Sequence, residues 1–361
     1  MKQMKVKALS KNTKSNLITY GMVIAAYVVM EILTKSGMVS SLLQGLLVPL
    51  CTYVILAVSL NLVVGISGEL SLGHAGFMCV GAFASAFFSN YTKDAITVSG
   101  LRFFLALLIG AAVAALFGFL IGIPVLRLRG DYLAIVTLAF GEIIKNVINV
   151  IFLGHDSKGF HISFKDAFSM NMEPDGEVLI NGPQGITGTP HDSSFLIGII
   201  LILITLFIVI NMVNSRTGRA IMAIRDNRIA AESVGIHITK YKLLAFTVSA
   251  SLAGVAGVLY AHNLSTLAAQ PKNFGYNMSI MILVFVVLGG IGNIRGSIIA
   301  AVVLTLLPEL LRSLNDYRML MYAIVLIATM IFTSSPGGQA FRERYSLKKL
   351  LGQKNQEEEA K

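Results

Sequence analysis

The sequence predicts an all-α fold, a polytopic bundle of about ten membrane-spanning helices. Hydrophobic residues fill 55% of the 361 positions and charged residues only 13%, whereas soluble domains carry roughly 25% charged residues. The apolar residues also collect in runs of about 16 to 22 positions, close to the roughly 20 residues with which a helix crosses a ~30 Å hydrocarbon core. A membrane β-barrel would need short alternating strands instead, and the sequence shows no such alternation over a useful length.

These apolar runs define the membrane domain as residues 17–334. The segment 1–16 before it is polar and carries five lysines, and no small-residue cleavage site follows it, so we expect an uncleaved first helix rather than a removed signal peptide. The charged tail 335–361 is typical of a solvated extension. The predicted spans are 17–34, 42–64, 75–91, 101–125, 132–153, 195–213, 242–262, 277–293, 296–312 and 319–334.

The distribution of lysine and arginine predicts which side of the membrane each connection faces. With both termini in the cytoplasm, the cytoplasmic connections and ends hold nineteen of these residues and the outer connections hold six. Basic residues concentrate on the cytoplasmic side of membrane proteins, so we expect the N- and C-termini to be cytoplasmic. The net charge of +10 has the same origin, and nucleic-acid binding is not expected.

Two connections are long enough to have a function of their own. The outer loop 154–194 mixes Gly, Pro, Asn and Asp with scattered apolar residues, which is compatible with a small folded cap and with a disordered segment. The inner loop 214–241 predicts a short amphipathic helix that ends at Gly235. Such a helix would be bound by a soluble partner or would lie on the lipid surface. Its apolar face consists of Ala220, Ile221, Ile224, Ala231 and Val234.

The segment from Asn61 to Phe77 interrupts an apolar run with glycines and polar residues before the next run begins. A break at membrane depth needs protein or water around it, and free N–H and C=O groups at half-helix ends can bind the charged groups of an amino acid. Asn61, Ser71 and His74 are therefore candidates for a translocation path. The alternative is an ordinary cytoplasmic turn, in which glycines bring helices together and His74 caps a helix.

A second glycine-rich turn, Gly289–Gly292, resembles the turn Gly65–Gly68. Internal duplication is common in transporters. However, two inverted five-helix halves would pair the turn after the second helix with the turn after the seventh, and these turns follow the second and the eighth. The sequence therefore establishes no repeat.

The fifth predicted span contains two charged residues, Glu142 and Lys145. Their i, i+3 spacing puts them on one helix face, where they can neutralise each other. Charges inside the membrane often belong to a transport path, so Glu142 is a further path candidate, and a purely structural ion pair is the alternative. Asn146 and Asn149 continue this polar side, so we expect it to face the bundle interior or an aqueous cavity.

No pattern in the chain points to catalysis or to a bound cofactor. The sequence has no Gly-x-x-x-x-Gly-Lys-Ser/Thr loop for ATP, no metal-ligand spacing and no nucleophile–base set. Cys51 and Cys79 lie inside apolar runs and are expected to be packed thiols. We expect a non-catalytic membrane subunit without cofactor or metal, whose energy comes from an ion gradient or from another subunit.

Four segments, in order along the chain, carry a resemblance to a known family. They are Gly68–Phe77 (GELSLGHAGF), Leu128–Glu142 (LRGDYLAIVTLAFGE), Gly218–Ala231 (GRAIMAIRDNRIAA) and Val287–Gly296 (VLGGIGNIRG). With these segments the sequence resembles the permease subunits of bacterial branched-chain amino-acid ABC importers, of the LivM type, over nearly the whole membrane region. The segment 154–180 is additional to the usual pattern of that family.

The resemblance implies the partners and mechanism of such an importer. The chain would be a channel-forming permease in the bacterial cytoplasmic membrane, paired with a sister permease and driven by two ABC ATPase subunits that bind the ATP. A substrate-binding protein outside the cytoplasm would deliver the amino acid, and alternating access would pass it inward. The inner loop would contain the short cytoplasmic coupling helix, which would dock into an ATPase cleft through Arg225, Asp226, Ala230, Ala231, Glu232 and Gly235.

The implied substrates are branched-chain amino acids of the leucine, isoleucine and valine kind, and the segment Leu128–Leu133 favours that branch. Related permeases handle sugars such as ribose, or urea, so these substrates are alternatives. An ion-coupled secondary transporter that works without ATPases also stays open, because of Glu142, Lys145 and the break near Gly68. A membrane scaffold or a membrane enzyme is a third hypothesis, which the missing catalytic patterns disfavour.

Overall fold

The computed structural model covers most of the predicted membrane domain. The described residues are 11–37, 40–128, 130–174 and 176–311, with isolated positions between 317 and 331. Residues 1–10 and the predicted tail 335–361 lie outside the described residues, as does much of the predicted span 319–334. The chain divides into two compact units, Met1–Val302 and Val303–Lys361. The second unit is described as a helix up to Leu310 and at few positions beyond it.

Helices dominate the described part of the chain, as the composition predicts. A π-helix, Leu62–Ser67, directly continues the second of them. The helices are α1 (Lys11–Lys35), α2 (Ser41–Asn61), α3 (His74–Tyr91), α4 (Ser99–Val125), α5 (Asp131–Val150), α6 (Phe195–Asn214), α7 (Arg216–Asp226), α8 (Arg228–Ser233), α9 (Ile238–Ala261), α10 (Pro271–Phe274), α11 (Tyr276–Gly289) and α12 (Ile294–Leu310).

Within the described residues, seven helical stretches are long and apolar enough to cross a membrane. They are Asn16–Lys35, Ser41–Ser67, Ser99–Val125, Asp131–Val150, Phe195–Asn214, Ile238–Ala261 and Pro271–Gly289. Helices α3 and α12 cover the predicted spans 75–91 and 296–312. They have 18 and 17 residues and are not among these seven stretches. The described residues thus support a multi-pass helical membrane protein, without confirming the predicted total of ten spans.

Helix α9 packs against α2, α3 and α4, largely through small residues. Gly81 of α3 and Gly254 of α9 face each other so closely that a Cβ on Gly81 would collide with the Gly254 backbone. Gly257 meets the carbonyl group of Met78 in the same way. Lipid gives helices no hydrophobic reason to associate, so close backbone packing and interhelical hydrogen bonds hold such bundles together.

The connection after α5 contains a folded sheet, which decides between the two readings of the loop 154–194. Three antiparallel strands, β1 (Phe152–Asp156), β2 (Gly159–Ser163) and β3 (Glu177–Asn181), lie in the order β2-β1-β3. In the register of β1 and β2, Phe152 lies opposite Ser163 and His155 opposite Phe160. We call residues 152–181 the sheet cap. The predicted fifth span, 132–153, is too long at its end, because Ile151 already has an extended backbone.

The contacts of the connections define one end of the bundle, which we call the sheet end. Strands β4 (Ile186–Thr187) and β5 (Thr266–Leu267) pair antiparallel and join the connection before α6 to the one after α9. The amide of Asn90 donates to the carbonyl of Thr187 at 3.0 Å, and the amide of Asn149 donates to the carbonyl of Ala269 at 3.0 Å. The ends of α3, α5 and α9 therefore meet beside the sheet cap.

The opposite end contains the loop 214–241, the segment 62–74 and the turn 290–296, and we call it the charged end. Its loop forms two helices, α7 and α8, so the prediction of one helix is wrong. Asn227 between them has an extended backbone, and its side-chain oxygen accepts from the N–H of Ala230 at 3.0 Å, which starts α8 afresh. Gly235, at φ +85°, follows the end of α8.

The predicted apolar face of this loop is only partly correct. Ile224 and Ala231 are buried together with Ile238 of α9, and Ile221 is buried as well. Val234, which a continuous helix would bring to the same side, is 75% exposed. The break at Asn227 rotates α8 relative to α7 and takes Val234 out of the face.

Candidate functional site

Residues 61–74, which we call the broken segment, join α2 to α3 at the charged end. The π-helix ends at Gly68, whose φ of +73° is the left-handed conformation that glycine adopts readily. The next residue, Glu69, forms an ion pair with Lys242 of α9, and both side chains are mostly buried. Neither residue stands out in the sequence. Their separation along the chain hides the pair, and only the charge of Glu69 beside the glycine turn could have pointed to it.

The start of α3 is tied to three other helices. The Nε2 atom of His74 lies 2.7 Å from the hydroxyl of Ser59 on α2. The N–H of Leu72 donates to the hydroxyl of Thr137 on α5 at 3.0 Å, and the N–H of Ala75 donates to the hydroxyl of Ser279 on α11 at 3.1 Å. These bonds satisfy donors that a helix start leaves free. The predicted path residue His74 therefore serves, in this conformation, as a link between helices.

Ser71 differs from the other path candidates. It is 1% exposed, and its hydroxyl has no hydrogen-bond partner among the residues that the structure describes. A buried hydroxyl without a partner costs free energy. Ser71 is thus the candidate whose polar group is left available inside the bundle.

Asn61 joins the two glycine-rich turns that resemble each other in sequence. Its side-chain oxygen accepts from the N–H of Gly292 at 2.9 Å, and its amide donates to the hydroxyl of Ser297 at 3.0 Å. Gly65 packs directly on the backbone of Gly292, where a Cβ would collide. The two turns therefore meet in one contact, in which Gly65 leaves space for the neighbouring backbone and Gly292 adopts a φ of +79°.

Glu142 and Lys145 form the ion pair that their spacing predicts, and the lysine side chain is 7% exposed. The other carboxylate oxygen of Glu142 accepts from the N–H of Tyr276 at 2.7 Å. Tyr276 is the first residue of α11, so Glu142 caps that helix and places a negative charge at its positive end. Asn149 also bonds inside the protein, whereas Asn146 is exposed.

Five of the six residues implied for ATPase coupling are exposed, namely Arg225, Asp226, Ala230, Glu232 and Gly235, whereas Ala231 is buried. Arg225 is turned toward the broken segment, where its Nη1 donates to the carbonyl of Gly65 at 2.9 Å. A cavity of about 550 Å³ opens beside α8. It is lined by Arg228, Glu232, Gly235, Ile236, His237, Ile238, Thr239 and Lys240.

A second polar cluster at the sheet end was not anticipated from the sequence. Arg102 of α4 forms an ion pair with Asp192, which precedes α6, at 2.8 Å, and both side chains are 11% exposed. The fully buried His262 lies 2.8 Å from the hydroxyl of Ser89 on α3. These pairs join residues far apart in sequence, so no local pattern points to them. They join the end of α3 to the end of α9, and the start of α4 to the connection before α6.

The sheet cap contains a buried carboxylate, Asp156, which is 5% exposed. Burial alone would raise its pKa, but three donors outweigh that effect and lower the pKa to about 2. They are the N–H of Glu173 at 3.2 Å, the N–H of Lys158 at 2.8 Å and the ring of His161 at 3.0 Å. Asp156 therefore ties the hairpin of β1 and β2 to the backbone at Glu173.

Comparisons with known proteins show which sequences this chain resembles. Residues 42–333 match the family described as branched-chain amino acid transport system / permease component. The chain is 38% identical over 310 residues to the high-affinity branched-chain amino acid transport system permease protein LivM of Salmonella typhimurium. That alignment covers 83% of this chain and 70% of the relative. LivM of Escherichia coli is 38% identical over 289 residues, which are 78% of this chain and 66% of the relative.

A more distant similarity extends to a sugar permease. The ribose import permease protein RbsC of Escherichia coli is 27% identical over 77% of this chain and 80% of its own length. No solved structure matches this chain significantly. Because the family match spans most of the chain and the LivM relatives are clearly more similar than the sugar permease, this chain belongs to the family of permease components of branched-chain amino acid transport systems.

Proposed function

We propose that this chain is the permease subunit of a bacterial ABC importer for branched-chain amino acids. The family match over residues 42–333, supported by the two LivM relatives, carries the proposal. In this role the chain forms part of the translocation path and hydrolyses no ATP itself. Two ABC ATPase subunits bind the ATP, and a sister permease and an extracytoplasmic substrate-binding protein complete the importer.

The loop 214–241 at the charged end, which we call the charged loop, is the proposed docking element for an ATPase subunit. Asp226 and Glu232 are exposed, and two large apolar side chains on the same loop, Ile229 and Val234, are 81% and 75% exposed. Exposed apolar residues of this size favour a partner, because covering them gains roughly 25 cal/mol per Å² of apolar surface. Ala231 instead holds α8 onto the bundle. The docking surface is therefore narrower than the six residues that the family resemblance implies.

The proposed orientation puts the charged end in the cytoplasm of the bacterial cell and the sheet end outside. It rests on the nineteen basic residues that this arrangement assigns to the cytoplasmic side. In this orientation the charged loop faces the ATPases, and the sheet cap faces the binding protein. Both termini are then cytoplasmic.

In the proposed mechanism, the broken segment between α2 and α3 is the part of the chain that moves during alternating access. Asn61, His74 and Glu142 use their polar groups to join helices, so their proposed role is to hold the walls of the path in this conformation. Ser71, with its unpartnered hydroxyl, is the proposed point of contact with the substrate or with water. ATP-driven closure of the partners would shift these contacts and expose the path to the cytoplasm.

Reconstitution tests the proposal. The chain, the sister permease and the two ATPases are incorporated into liposomes, and radiolabelled leucine and the binding protein are supplied on the outer side. We expect accumulation that requires ATP and each of the partners. Uptake by this chain alone under an ion gradient would instead identify a secondary transporter and refute the proposal.

Competition in the same liposomes tests the substrate class. Unlabelled isoleucine and valine should suppress leucine uptake, whereas ribose and urea should not. Suppression by ribose would favour the distant sugar-permease similarity over the LivM similarity. The binding protein must be held at one concentration, because it also contributes to selectivity.

A further inference from the structure

The side chain of Arg225 connects the charged loop to the broken segment. Its Nη1 donates to the carbonyl of Gly65 at 2.9 Å. Its Nε and Nη2 both donate to one carboxylate oxygen of Asp226, at 3.0 and 2.9 Å. The neighbouring carboxylate thus orients the planar guanidinium and leaves one edge for the Gly65 carbonyl.

The carbonyl of Gly65 is a favourable acceptor for this cation. It lies in the last turn of the π-helix Leu62–Ser67, and carbonyls in the last turn of a helix lack a donor within that helix. The same end carries the negative pole of the helix dipole, which attracts a positive side chain. Arg225 therefore caps the π-helix Leu62–Ser67 within the broken segment.

Gly68 leaves room for Arg225 on the other side of the turn. A Cβ on Gly68 would lie 2.6 Å from the Cγ of Arg225, which is too close for two carbon atoms. The φ of +73° at Gly68 also disfavours any other residue there. Arg225 thus contacts both glycines of this turn. Its guanidinium bonds to the carbonyl of Gly65, and its Cγ occupies the space that Gly68 leaves free.

The contact continues from Gly65 into a second turn. Gly65 packs on the backbone of Gly292, and Asn61, one turn earlier on α2, accepts from the N–H of Gly292 at 2.9 Å. The path from Arg225 to Gly292 therefore consists of direct contacts without a gap. If α7 is displaced and the Arg225 contact holds, at least one of the two glycine-rich turns must therefore move as well.

We infer that Arg225 is a positioning residue that transmits movement of the charged loop to the two glycine-rich turns, rather than a residue that binds the ATPase. This inference rests on the proposed function, because it assigns the loop a moving partner. Arg225 moves with α7, carries the carbonyl of Gly65 with it, and shifts Gly292 through their backbone contact. Asp226, whose side chain is 66% exposed against 37% for Arg225, faces the partner and keeps the guanidinium aligned.

The Arg225→Lys variant of the full importer tests the inference. Lysine keeps the charge but lacks the planar guanidinium, which bonds to the Asp226 carboxylate and to the Gly65 carbonyl at the same time. We expect the complex to assemble and to hydrolyse ATP as the wild type does, while leucine uptake per ATP falls about tenfold, as for loss of one charge-assisted hydrogen bond. Arg219→Lys is the matched control, because among the described residues Arg219 bonds only to the carbonyl of Asn214 next to its own helix. It should leave this ratio unchanged.

Two outcomes would overturn the inference. An unchanged ratio in Arg225→Lys would mean that the contact transmits nothing. A parallel fall of hydrolysis and uptake would mean that Arg225 acts in ATPase docking. Both results require wild-type importer that accumulates leucine; failure of the wild type would instead count against the proposed function.

The Gly68→Ala variant and hydrogen exchange provide independent measurements. Alanine should displace Arg225 and lower uptake per ATP, and the double variant with Arg225→Lys should be no worse than the more affected single one. Losses that multiply would contradict a shared contact. In the assembled complex, the amides of residues 62–69 should exchange faster in Arg225→Lys than in Arg219→Lys, and equal rates would contradict the inference.

Discussion

At the scale of single residues, the polar groups of the broken segment owe their roles to the partners within reach. The sequence makes Asn61 a path candidate because it is an amide at the end of an apolar run. In the fold it is 1% exposed, and its oxygen and its nitrogen both bind across to Gly292 and Ser297. An amide that is fully engaged in this way stabilises one arrangement of the helices.

Asn61→Ala should therefore destabilise the protein. It leaves the N–H of Gly292 and the hydroxyl of Ser297 without this partner in a buried site, which costs about 1–3 kcal/mol. The free energy of unfolding can be measured in mixed micelles with increasing denaturing detergent. Asn263→Ala is a suitable control, since that side chain forms no hydrogen bond among the described residues, and it should stay within about 0.5 kcal/mol of the wild type. Equal stability of Asn61→Ala would contradict the assigned role.

Asp156 makes the stability of the sheet cap sensitive to acid. Its pKa is lowered to about 2 in the folded chain, below the value of about 4 of an unfolded aspartate. The stabilisation from its carboxylate is therefore fully present above about pH 4 and is lost as the pH falls toward 2. We expect pepsin to cleave within residues 152–181 increasingly over this window. Asp156→Asn should be cleaved already at pH 4, and the surface control Asp94→Asn should behave as the wild type. Cleavage independent of pH in the wild type would refute this.

At the scale of elements, one carboxylate joins two helices. Glu142 neutralises Lys145 on its own helix α5 and caps the start of α11 through Tyr276. The sequence left a structural pair and a transport path as alternatives for this charge. Engagement of both carboxylate oxygens favours the structural role, because a group that carries ions or protons must exchange its partners during transport.

Two variants separate these roles. Glu142→Ala leaves the buried ammonium of Lys145 without its partner and should cost about 3–5 kcal/mol of stability. The double variant Glu142→Gln/Lys145→Met removes both charges but keeps an acceptor for the N–H of Tyr276, so we expect a smaller loss. ATP-dependent leucine uptake by the double variant should persist. A folded double variant without uptake would point to a path or ion-coupling role.

At the scale of the whole molecule, the connections segregate to two ends with different chemistry. The sheet end carries a folded cap and buried ion pairs, and the charged end carries two short helices with exposed apolar side chains. Each end is held by contacts between distant segments, such as β4 with β5 and Lys242 with Glu69. In the proposed alternating access, contacts at one end would change while those at the other end hold.

Cysteine labelling in intact cells tests the proposed orientation. The native thiols Cys51 and Cys79 are free and buried, as the sequence predicts, so single new cysteines can be followed once these two are replaced by alanine. A membrane-impermeant maleimide should label Ser169→Cys in the sheet cap and should label Ser233→Cys in α8 only after the cells are opened. The reverse pattern would invert the orientation.

The sequence by itself determined that the chain is a helical bundle in a membrane. Composition and the length of apolar runs are enough for this conclusion, because both are properties of continuous stretches of the chain. It also identified the broken segment, the Glu142–Lys145 pair and the family, since each depends on residues close in sequence. Only the tertiary structure decided what the polar groups do. Asn61 and Ser297, Arg225 and Gly65, and Glu142 and Tyr276 are far apart in sequence, so no local pattern predicts their hydrogen bonds. The sheet cap and the break at Asn227 likewise follow from pairing and capping that the apolar pattern does not encode.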